Sequence, residues 1–142
     1  MKIQKYISMM FVLAILLVSA CNNDDPEGVS FQDEAFESLA GEWTFGIDGS
    51  IVVDGTDVSA NYPGFSLSFA DGTYQTSNGA DLFNASGTWG WTDEQARTIR
   101  LDGNGLDITI QTLTVNRFVF SFSFAGATRA GIAGNYTVTV NK

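Results

Sequence analysis

The sequence predicts an all-β fold, an antiparallel up-and-down meander of about eight strands, and two patterns support this prediction. Residues 65–69 alternate apolar side chains with serines, and residues 117–124 alternate four phenylalanines with smaller side chains. A period of two is typical of strands that bury one face. Glycine follows Asp or Asn six times between residues 41 and 141, a pair that tight hairpin turns favour. Such a meander forms either an up-and-down barrel or a two-sheet β-sandwich.

The remaining strands are predicted in chain order from apolar residues at every second position. Their inward faces are Trp43, Phe45 and Ile47; Trp89 and Trp91; Ile99 and Leu101; Leu106, Ile108 and Ile110; and Tyr136, Val138 and Val140. Residues 36–39 predict one helical turn that closes an end of the domain, and no helical period is sustained after residue 40. Burial of roughly twenty inward side chains, each worth about 1.5–3 kcal/mol, is enough to order the domain without disulfides.

The first twenty residues have the parts of a secretory signal peptide. Two lysines precede an apolar run over residues 7–18, and Cys21, the only cysteine, follows shortly afterwards. As a helix this run is about 18 Å long, whereas a bilayer core needs roughly 20 residues. We therefore predict a lipoprotein signal peptide over residues 1–20 and lipid attachment, for example of palmitate, at Cys21. The alternative is an ordinary signal peptide beside a coincidental cysteine.

Residues 21–37 are predicted to form a lipidated acidic tether, and residues 38–142 are predicted to form the folded domain. The run from Asn23 to Glu27 resembles the export signal that surface lipoproteins of Bacteroidetes carry after their cysteine. It predicts an outer-membrane lipoprotein that faces the cell exterior, with the periplasmic face as the alternative. The same run is also typical of a solvated, flexible linker.

The charge of the chain disfavours some partners. Without the signal peptide, five basic side chains remain beside sixteen acidic ones, which gives a net charge of −11. Nucleic acid is not an expected partner, because its binding depends on Lys and Arg that neutralise phosphates. Membrane contact is therefore expected through the lipid on Cys21, with the domain held away from anionic lipid heads.

The residues that the chain lacks limit its chemistry. There is no histidine, and the one cysteine lies at the predicted cleavage point. Ser-His-Asp and Cys-His catalysis and zinc sites built from His and Cys are thereby excluded, and no phosphate-binding glycine loop is present. Carboxylate chemistry such as glycoside hydrolysis remains possible, but most acidic residues adjoin glycine in turns. We predict no enzymatic activity and no cofactor.

Three tryptophans, Trp43, Trp89 and Trp91, are the candidate ligand-binding residues. Trp89 and Trp91 share a strand face and could stack on a sugar or another flat ligand, although tryptophans placed in this way are more often part of the core. Residues 102–107 have oxygen donors at calcium-like spacing, but Leu106 occupies a position at which an EF-hand loop needs a donor. A glycine-rich turn is the preferred interpretation, and no metal site is predicted.

Residues 39–43, Leu-Ala-Gly-Glu-Trp, resemble the Gly-x-Trp opening of lipocalin-like domains. Further blocks at residues 65–74, 86–91, 98–103 and 131–136 resemble the small lipocalin-like lipoproteins of Bacteroidetes. The resemblance implies a barrel over the whole folded part, a tryptophan that plugs its floor and no catalytic apparatus, and it implies no particular ligand. The chain departs from true lipocalins because it has no disulfide and ends on a predicted strand.

These observations together predict a non-catalytic binding domain on an outer-membrane lipoprotein. The favoured ligand is a small apolar or aromatic molecule inside the barrel, since an eight-stranded barrel is just wide enough for its own side chains or for one small ligand. The alternative is a closed β module whose exposed loops contact an envelope protein or a glycan.

Overall fold

The computed structural model describes residues 28–79, 82–126 and 132–142 of the chain, and the predicted lipidation site, Cys21, lies outside them. One helix, α1 (Phe31–Leu39), precedes the strands, and a 3₁₀ turn covers Ser59–Asn61. The strands are β1 (Gly41–Thr44), β2 (Ser50–Val53), β3 (Thr56–Asp57), β4 (Ser66–Ala70), β5 (Thr73–Ser77), β6 (Ser86–Trp91), β7 (Thr98–Leu101), β8 (Asp107–Leu113), β9 (Arg117–Phe124) and β10 (Gly134–Asn141).

Eight of the described strands form a closed antiparallel barrel. Strands β4 to β10 pair in chain order, and β1 joins β4 on one side and β10 on the other, where Thr44 lies opposite Asn141. The remaining two, β2 and β3, form a hairpin that pairs with β10. The predicted all-β barrel is confirmed. The alternative β-sandwich is wrong, because these strands form one sheet that closes on itself.

The first strand is shorter than the sequence pattern predicts. The alternation through Phe45 and Ile47 predicts one inward face, but β1 ends before both residues, and Ile47 is fully exposed. The chain folds tightly here, since Gly46 has a φ of +56° and a side chain on Gly49 would overlap the Phe45 carbonyl. The chain then continues along β10 as β2, so this loop interrupts a single path along the barrel wall.

Two of the predicted Asp-Gly pairs adopt the expected turn conformation. Asp54 and Gly55 link β2 to β3, and Asp102 and Gly103 follow β7, all four with positive φ. Positive φ at two successive positions is the type I′ geometry, which matches the twist of paired strands. Asn104 lies in the same connection as Asp102, so the Asn-Gly pair there does not form a hairpin of its own.

One end of the barrel, here termed the closed end, is covered by α1. The N–H of Asp33 donates to the Ser30 hydroxyl at 3.1 Å and so caps the first turn of the helix. Phe36 stacks on Trp89 with ring centroids 5.9 Å apart, and Leu39 is fully buried. The predicted helical turn is confirmed, but it is only the last part of a longer helix. The first residues of this helix belong to the stretch that the sequence pattern predicts as tether.

The last residue of the chain completes the closed end. The Lys142 ammonium donates to the carbonyl oxygens of Ser38 at 2.7 Å and Ala40 at 2.6 Å, and it lies 4.4 Å from the centroid of the Trp43 ring. Burial lowers the pKa of Lys142. The indole N–H of Trp43 donates to the Leu39 carbonyl at 2.8 Å. These contacts satisfy carbonyls at the end of α1, where a positive charge is favourable.

Aromatic side chains in mutual contact fill the interior. Phe118, Phe120 and Phe122 of β9 are buried, as predicted, while Phe124 is half-buried. Neighbouring ring centroids along this row are 4.6 Å and 6.2 Å apart, and Tyr136 stacks on Phe122 at 5.1 Å. Such spacings are typical of close-packed aromatic cores. The phenylalanine row therefore occupies the space that a ligand inside the barrel would need.

Candidate functional site

The barrel wall separates at the end opposite α1, here termed the open end. The β8–β9 ladder ends at Thr109 and Ser121, although β8 begins at Asp107 and β9 continues to Phe124. Over the same residues β9 remains paired with β10. The separation is therefore confined to the β8 side of β9, and it leaves a gap in the wall.

A cleft of about 510 Å³, here termed the open-end cleft, lies beside this gap. Its floor consists of four buried residues, Tyr74, Leu82, Phe83 and Leu101. Half-buried and exposed residues form its rim: Asn84, Asp102, Asn104, Leu106, Ser123 and Phe124. A depression of about 520 Å³ on the other side of the gap shares Leu106 and Ser123. Concave sites of this size, with an apolar floor and a few polar groups, commonly bind small molecules.

Phe83 separates the cleft from the aromatic interior. Its backbone N–H donates to the Gly79 carbonyl at 2.7 Å. The ring centroid lies 5.2 Å from that of Phe122, 6.3 Å from that of Phe120 and 5.9 Å from that of Phe65. With only 2% of its surface exposed, Phe83 packs on the core from one side and forms cleft floor on the other.

One side of the cleft is organised by the Asp102 cluster, which consists of Asp102, Tyr74, Asn84 and Thr88. One carboxylate oxygen of Asp102 accepts from the Tyr74 hydroxyl at 2.6 Å and from the Asn84 amide at 2.8 Å. The other accepts from the backbone N–H of Thr88 at 3.0 Å. Hydrogen bonds to an ionised acceptor are stronger than neutral ones, so this cluster fixes the β7–β8 connection against β5 and β6.

Gly87 in β6 provides the space for the Asp102 cluster. A Cβ at this position would overlap a carboxylate oxygen of Asp102 and would lie 2.8 Å from Cε1 of Tyr74. Gly87 lies directly opposite Tyr74 in the β5–β6 ladder. A glycine in the middle of a strand often marks a close approach of other groups, and here those groups are the Asp102 carboxylate and the Tyr74 ring.

The Asp102 carboxylate is the charged group of the cleft. Partial burial raises the pKa of Asp102, but the hydrogen bonds from Tyr74, Asn84 and Thr88 together outweigh burial, and the net pKa lies below its ordinary value. Asp102 is therefore ionised at neutral pH. No Lys or Arg is among the described residues that line the cleft. The described lining residues therefore supply no countercharge to an anion.

Asn135 of β10 lines the neighbouring depression and contacts Ser123, a residue that lines both hollows. Its side-chain oxygen accepts from the Ser123 hydroxyl at 2.7 Å, and its backbone N–H donates to the Asp54 carboxylate at 3.1 Å. Within the described residues, the Asn104 side chain makes no hydrogen bond with the protein. The rim therefore has an amide at Asn104 with no partner among the described residues, whereas the Ser123 hydroxyl is held by Asn135 on the outer face of β9.

The three predicted ligand-binding tryptophans lie at the closed end and not in this cleft. Trp43 is fully buried beneath Lys142 and packs in the core, and its contact with a ligand stays a prediction. Trp89 is 9% exposed, its indole N–H donates to the Ala70 carbonyl at 2.8 Å, and its ring is perpendicular to that of Trp91. The two rings do not form a flat stacking platform. A role for Trp89 and the half-buried Trp91 in binding stays a prediction.

The calcium-like spacing over residues 102–107 belongs to a turn, as preferred from the sequence. The Asp102 carboxylate points to Tyr74, and the Asp107 carboxylate forms an exposed ion pair with Arg100 at 2.6 Å. The two carboxylates thus contact different partners and do not converge on one point. Among the described residues, no group of three or more His, Cys, Asp or Glu side chains is arranged to hold a metal ion.

The comparison with protein-family models finds no match for this chain. The comparison with curated proteins also finds none. Within the residues that the structure describes, no helix has the length and apolar character needed to cross a membrane. The resemblance to small lipocalin-like lipoproteins therefore stays a prediction from the sequence blocks, and the candidate site is described by its own geometry.

Proposed function

We propose that this protein is an outer-membrane lipoprotein whose barrel binds a small ligand, without catalysis, in the open-end cleft. The main support for this proposal is the cleft itself. Its floor consists of buried side chains beneath a polar rim: Tyr74, Leu82, Phe83 and Leu101. This site is favoured over the barrel interior, because aromatic side chains occupy the interior and Phe83 lies between the two. The proposed ligand is small and has an apolar or aromatic part that covers the floor.

The position of α1 supports a definite orientation of the barrel. If Cys21 carries the lipid, residues 22–30 connect it to the start of α1, and this stretch spans at most about 30 Å. The connection enters at the closed end, so the open-end cleft faces away from the membrane. One acyl chain gives only marginal attachment, whereas two or three make it effectively permanent. We propose that the cleft faces the cell exterior, with the periplasmic face as the alternative.

A binding role without catalysis accords with the groups present in the cleft. Asp102 is the only carboxylate among its described lining residues, and that carboxylate already accepts three hydrogen bonds. Hydrolysis of a glycosidic bond by the usual mechanism requires two carboxyl groups about 5–10 Å apart across an open cleft. The described cleft supplies one.

Attachment is tested with the full chain expressed in a host that processes lipoproteins. Radiolabelled palmitate should enter the wild-type protein and should not enter a Cys21→Ala variant. Protease added to intact cells should remove the domain from the wild-type strain. An unlabelled wild-type product would contradict the lipid anchor, and a domain that survives until the cells are opened would place it on the periplasmic side.

Ligand binding is tested by native mass spectrometry of the lipoprotein purified from its own host. A small molecule should accompany the wild-type protein and should be depleted from a Phe124→Ala variant, which lacks the aromatic part of the rim. An Ile47→Ala variant is the matched control, because Ile47 is an exposed apolar residue away from the cleft. Repeatedly empty wild-type protein would favour the alternative, a closed module that contacts an envelope protein or a glycan through its loops.

A further inference from the structure

The chemistry of the open-end cleft points to one class of ligand, and this inference rests on the proposed function. We infer that the cleft binds a neutral carbohydrate, a mono- or disaccharide, with an apolar face of a sugar ring against Phe124 and its hydroxyls toward Asn104. A cleft of about 510 Å³ lies within the range that accommodates such a molecule.

The charges at the site favour a neutral ligand. An anion would find no Lys or Arg among the described lining residues and would lie beside the ionised Asp102. A cation would find a carboxylate whose two oxygens already accept hydrogen bonds from Tyr74, Asn84 and Thr88. These donors already occupy three lone pairs of the carboxylate, so a cation would gain solvent-screened Coulomb attraction there but few direct hydrogen bonds.

The polar groups of the rim match hydroxyl groups. The Asn104 amide can donate and accept hydrogen bonds and makes none with the described protein. A sugar hydroxyl also donates and accepts, so it can satisfy the Asn104 amide. A purely apolar ligand would remove the Asn104 amide from water without replacing its hydrogen bonds, which is unfavourable.

The apolar part of the rim matches the C–H face of a sugar ring. Phe124 is half-buried and meets Tyr136 edge to face, with centroids 6.3 Å apart and an interplanar angle of 87°. Tyr136 is itself buried and holds the Phe124 ring in place. Leu106, on the β7–β8 connection, lines the same cleft. The fixed Phe124 ring can pack against the apolar face of a sugar, while a nearby amide bonds the hydroxyls at the edge of that sugar.

The inference is tested by calorimetric and ligand-observed NMR titrations of the full lipoprotein in micelles of a detergent without a sugar headgroup. The probes are glucose, galactose, mannose, N-acetylglucosamine, maltose and cellobiose as neutral sugars, galacturonate as the anion and glucosamine as the cation. At least one neutral sugar should bind, and galacturonate should bind at least about tenfold more weakly than galactose, because Asp102 repels it.

Two variants assign the binding to the cleft. Asn104→Ala should weaken binding of the neutral sugar about tenfold, since it removes both hydrogen-bonding functions of the amide. Asn116→Ala is the matched control, because Asn116 is an exposed asparagine in the β8–β9 turn at the closed end, and its replacement should leave the affinity unchanged.

The outcomes separate this inference from the proposed function. Failure of every neutral sugar to bind, or equal losses in Asn104→Ala and Asn116→Ala, would overturn the carbohydrate assignment. Tighter binding of glucosamine or galacturonate, lost in Asn104→Ala, would also overturn it while leaving the cleft as a binding site. A non-carbohydrate ligand on the native protein would have the same meaning. Repeatedly empty native protein bears instead on the proposed function.

Discussion

At the closed end of the barrel, side chains from α1, from β1 and from the last residue, Lys142, cover the core. At the open end, the neighbouring strands β8 and β9 separate. Trp43 at the closed end is fully buried, donates to Leu39 and lies beneath the Lys142 ammonium. At the open end, Phe124 is half-buried on the rim of the cleft, and the β8–β9 ladder stops at Thr109 and Ser121.

The contrast between the two ends shows how one small barrel can combine stability with an accessible site. Burial of large side chains at the closed end and in the aromatic interior supplies most of the favourable free energy of folding. The open end can then expose polar groups and leave part of a ladder unpaired, because opening or binding there does not disturb the core. Binding regions are commonly among the less stable parts of a fold.

The largest expected effect comes from removing the closed-end tryptophan. Trp43→Ala should lower the free energy of unfolding by about 3–5 kcal/mol, because it leaves a cavity in a fully buried site. Phe124→Ala at the open end should cost about 1 kcal/mol or less, since that ring is half-buried. Urea unfolding followed by circular dichroism measures both.

A milder variant covers the case in which Trp43→Ala does not fold. Trp43→Phe retains most of the apolar contact and loses the hydrogen bond to Leu39, so a loss of about 1 kcal/mol is expected. If Trp43→Ala and Phe124→Ala lowered the free energy of unfolding equally, the two ends would not differ in their contribution to stability.

The next largest effect concerns the space beneath the Asp102 cluster. Gly87→Ala should destabilise the barrel by about 1–3 kcal/mol, because its Cβ would overlap a carboxylate oxygen of Asp102 and crowd Tyr74. Gly90→Ala, in the same strand, is the matched control, since a Cβ there has no neighbour within 4 Å. Thermal unfolding of both variants is the measurement. Similar melting temperatures would mean that Gly87 is not needed for space.

A smaller, pH-dependent effect is expected from Asp102→Asn. The folded pKa of Asp102 lies below its ordinary value, so its ionised form stabilises the fold above about pH 4 and this contribution is lost as the pH falls through the folded pKa. The variant should be about 1 kcal/mol less stable than wild type at pH 7. In urea unfolding the difference should shrink toward pH 3, and a difference independent of pH would show that the charge plays no part.

The smallest effect is expected from Lys142→Met at the end of the chain. The variant keeps the apolar stem and loses the donors to the Ser38 and Ala40 carbonyls, which should cost less than about 1 kcal/mol at this solvent-accessible position. Lys142→Arg, which keeps a donor and a positive charge, should retain most of the stability. Urea unfolding of wild type and both variants measures the order of their free energies of unfolding. An arginine variant as unstable as the methionine variant would argue against a stabilising role of these hydrogen bonds.

The barrel was predictable because its signals are local. The phenylalanines of β9 alternate over eight residues, and the Asp-Gly pair at Asp54 specifies a turn with no information from elsewhere in the chain. The same rule failed at Ile47, because the tight loop with Gly46 and Gly49 ends the strand that the alternation alone would extend. Local backbone geometry overrides the apolar pattern there.

The open-end cleft was not predictable, since its parts are distant in the chain. Asp102 lies 28 residues from Tyr74, 18 from Asn84 and 14 from Thr88, and residue spacing alone does not indicate that they meet. One sequence signal was present: Gly87 interrupts a strand pattern that includes Trp89 and Trp91, and such a glycine indicates a close approach by other groups. The tryptophans that the sequence favours as ligand-binding residues lie at the closed end instead.

Residue-resolved amide hydrogen exchange of the folded protein tests the difference between the two ends most directly. Val119 and Ser123 lie four residues apart on β9, so their amides point toward the same neighbour, β8. Val119 is paired with Thr112, whereas the ladder has ended before Ser123. The Ser123 amide should exchange at least about a hundredfold faster than the Val119 amide, through local opening. Equal protection of both amides would contradict an open end and a closed end on one barrel.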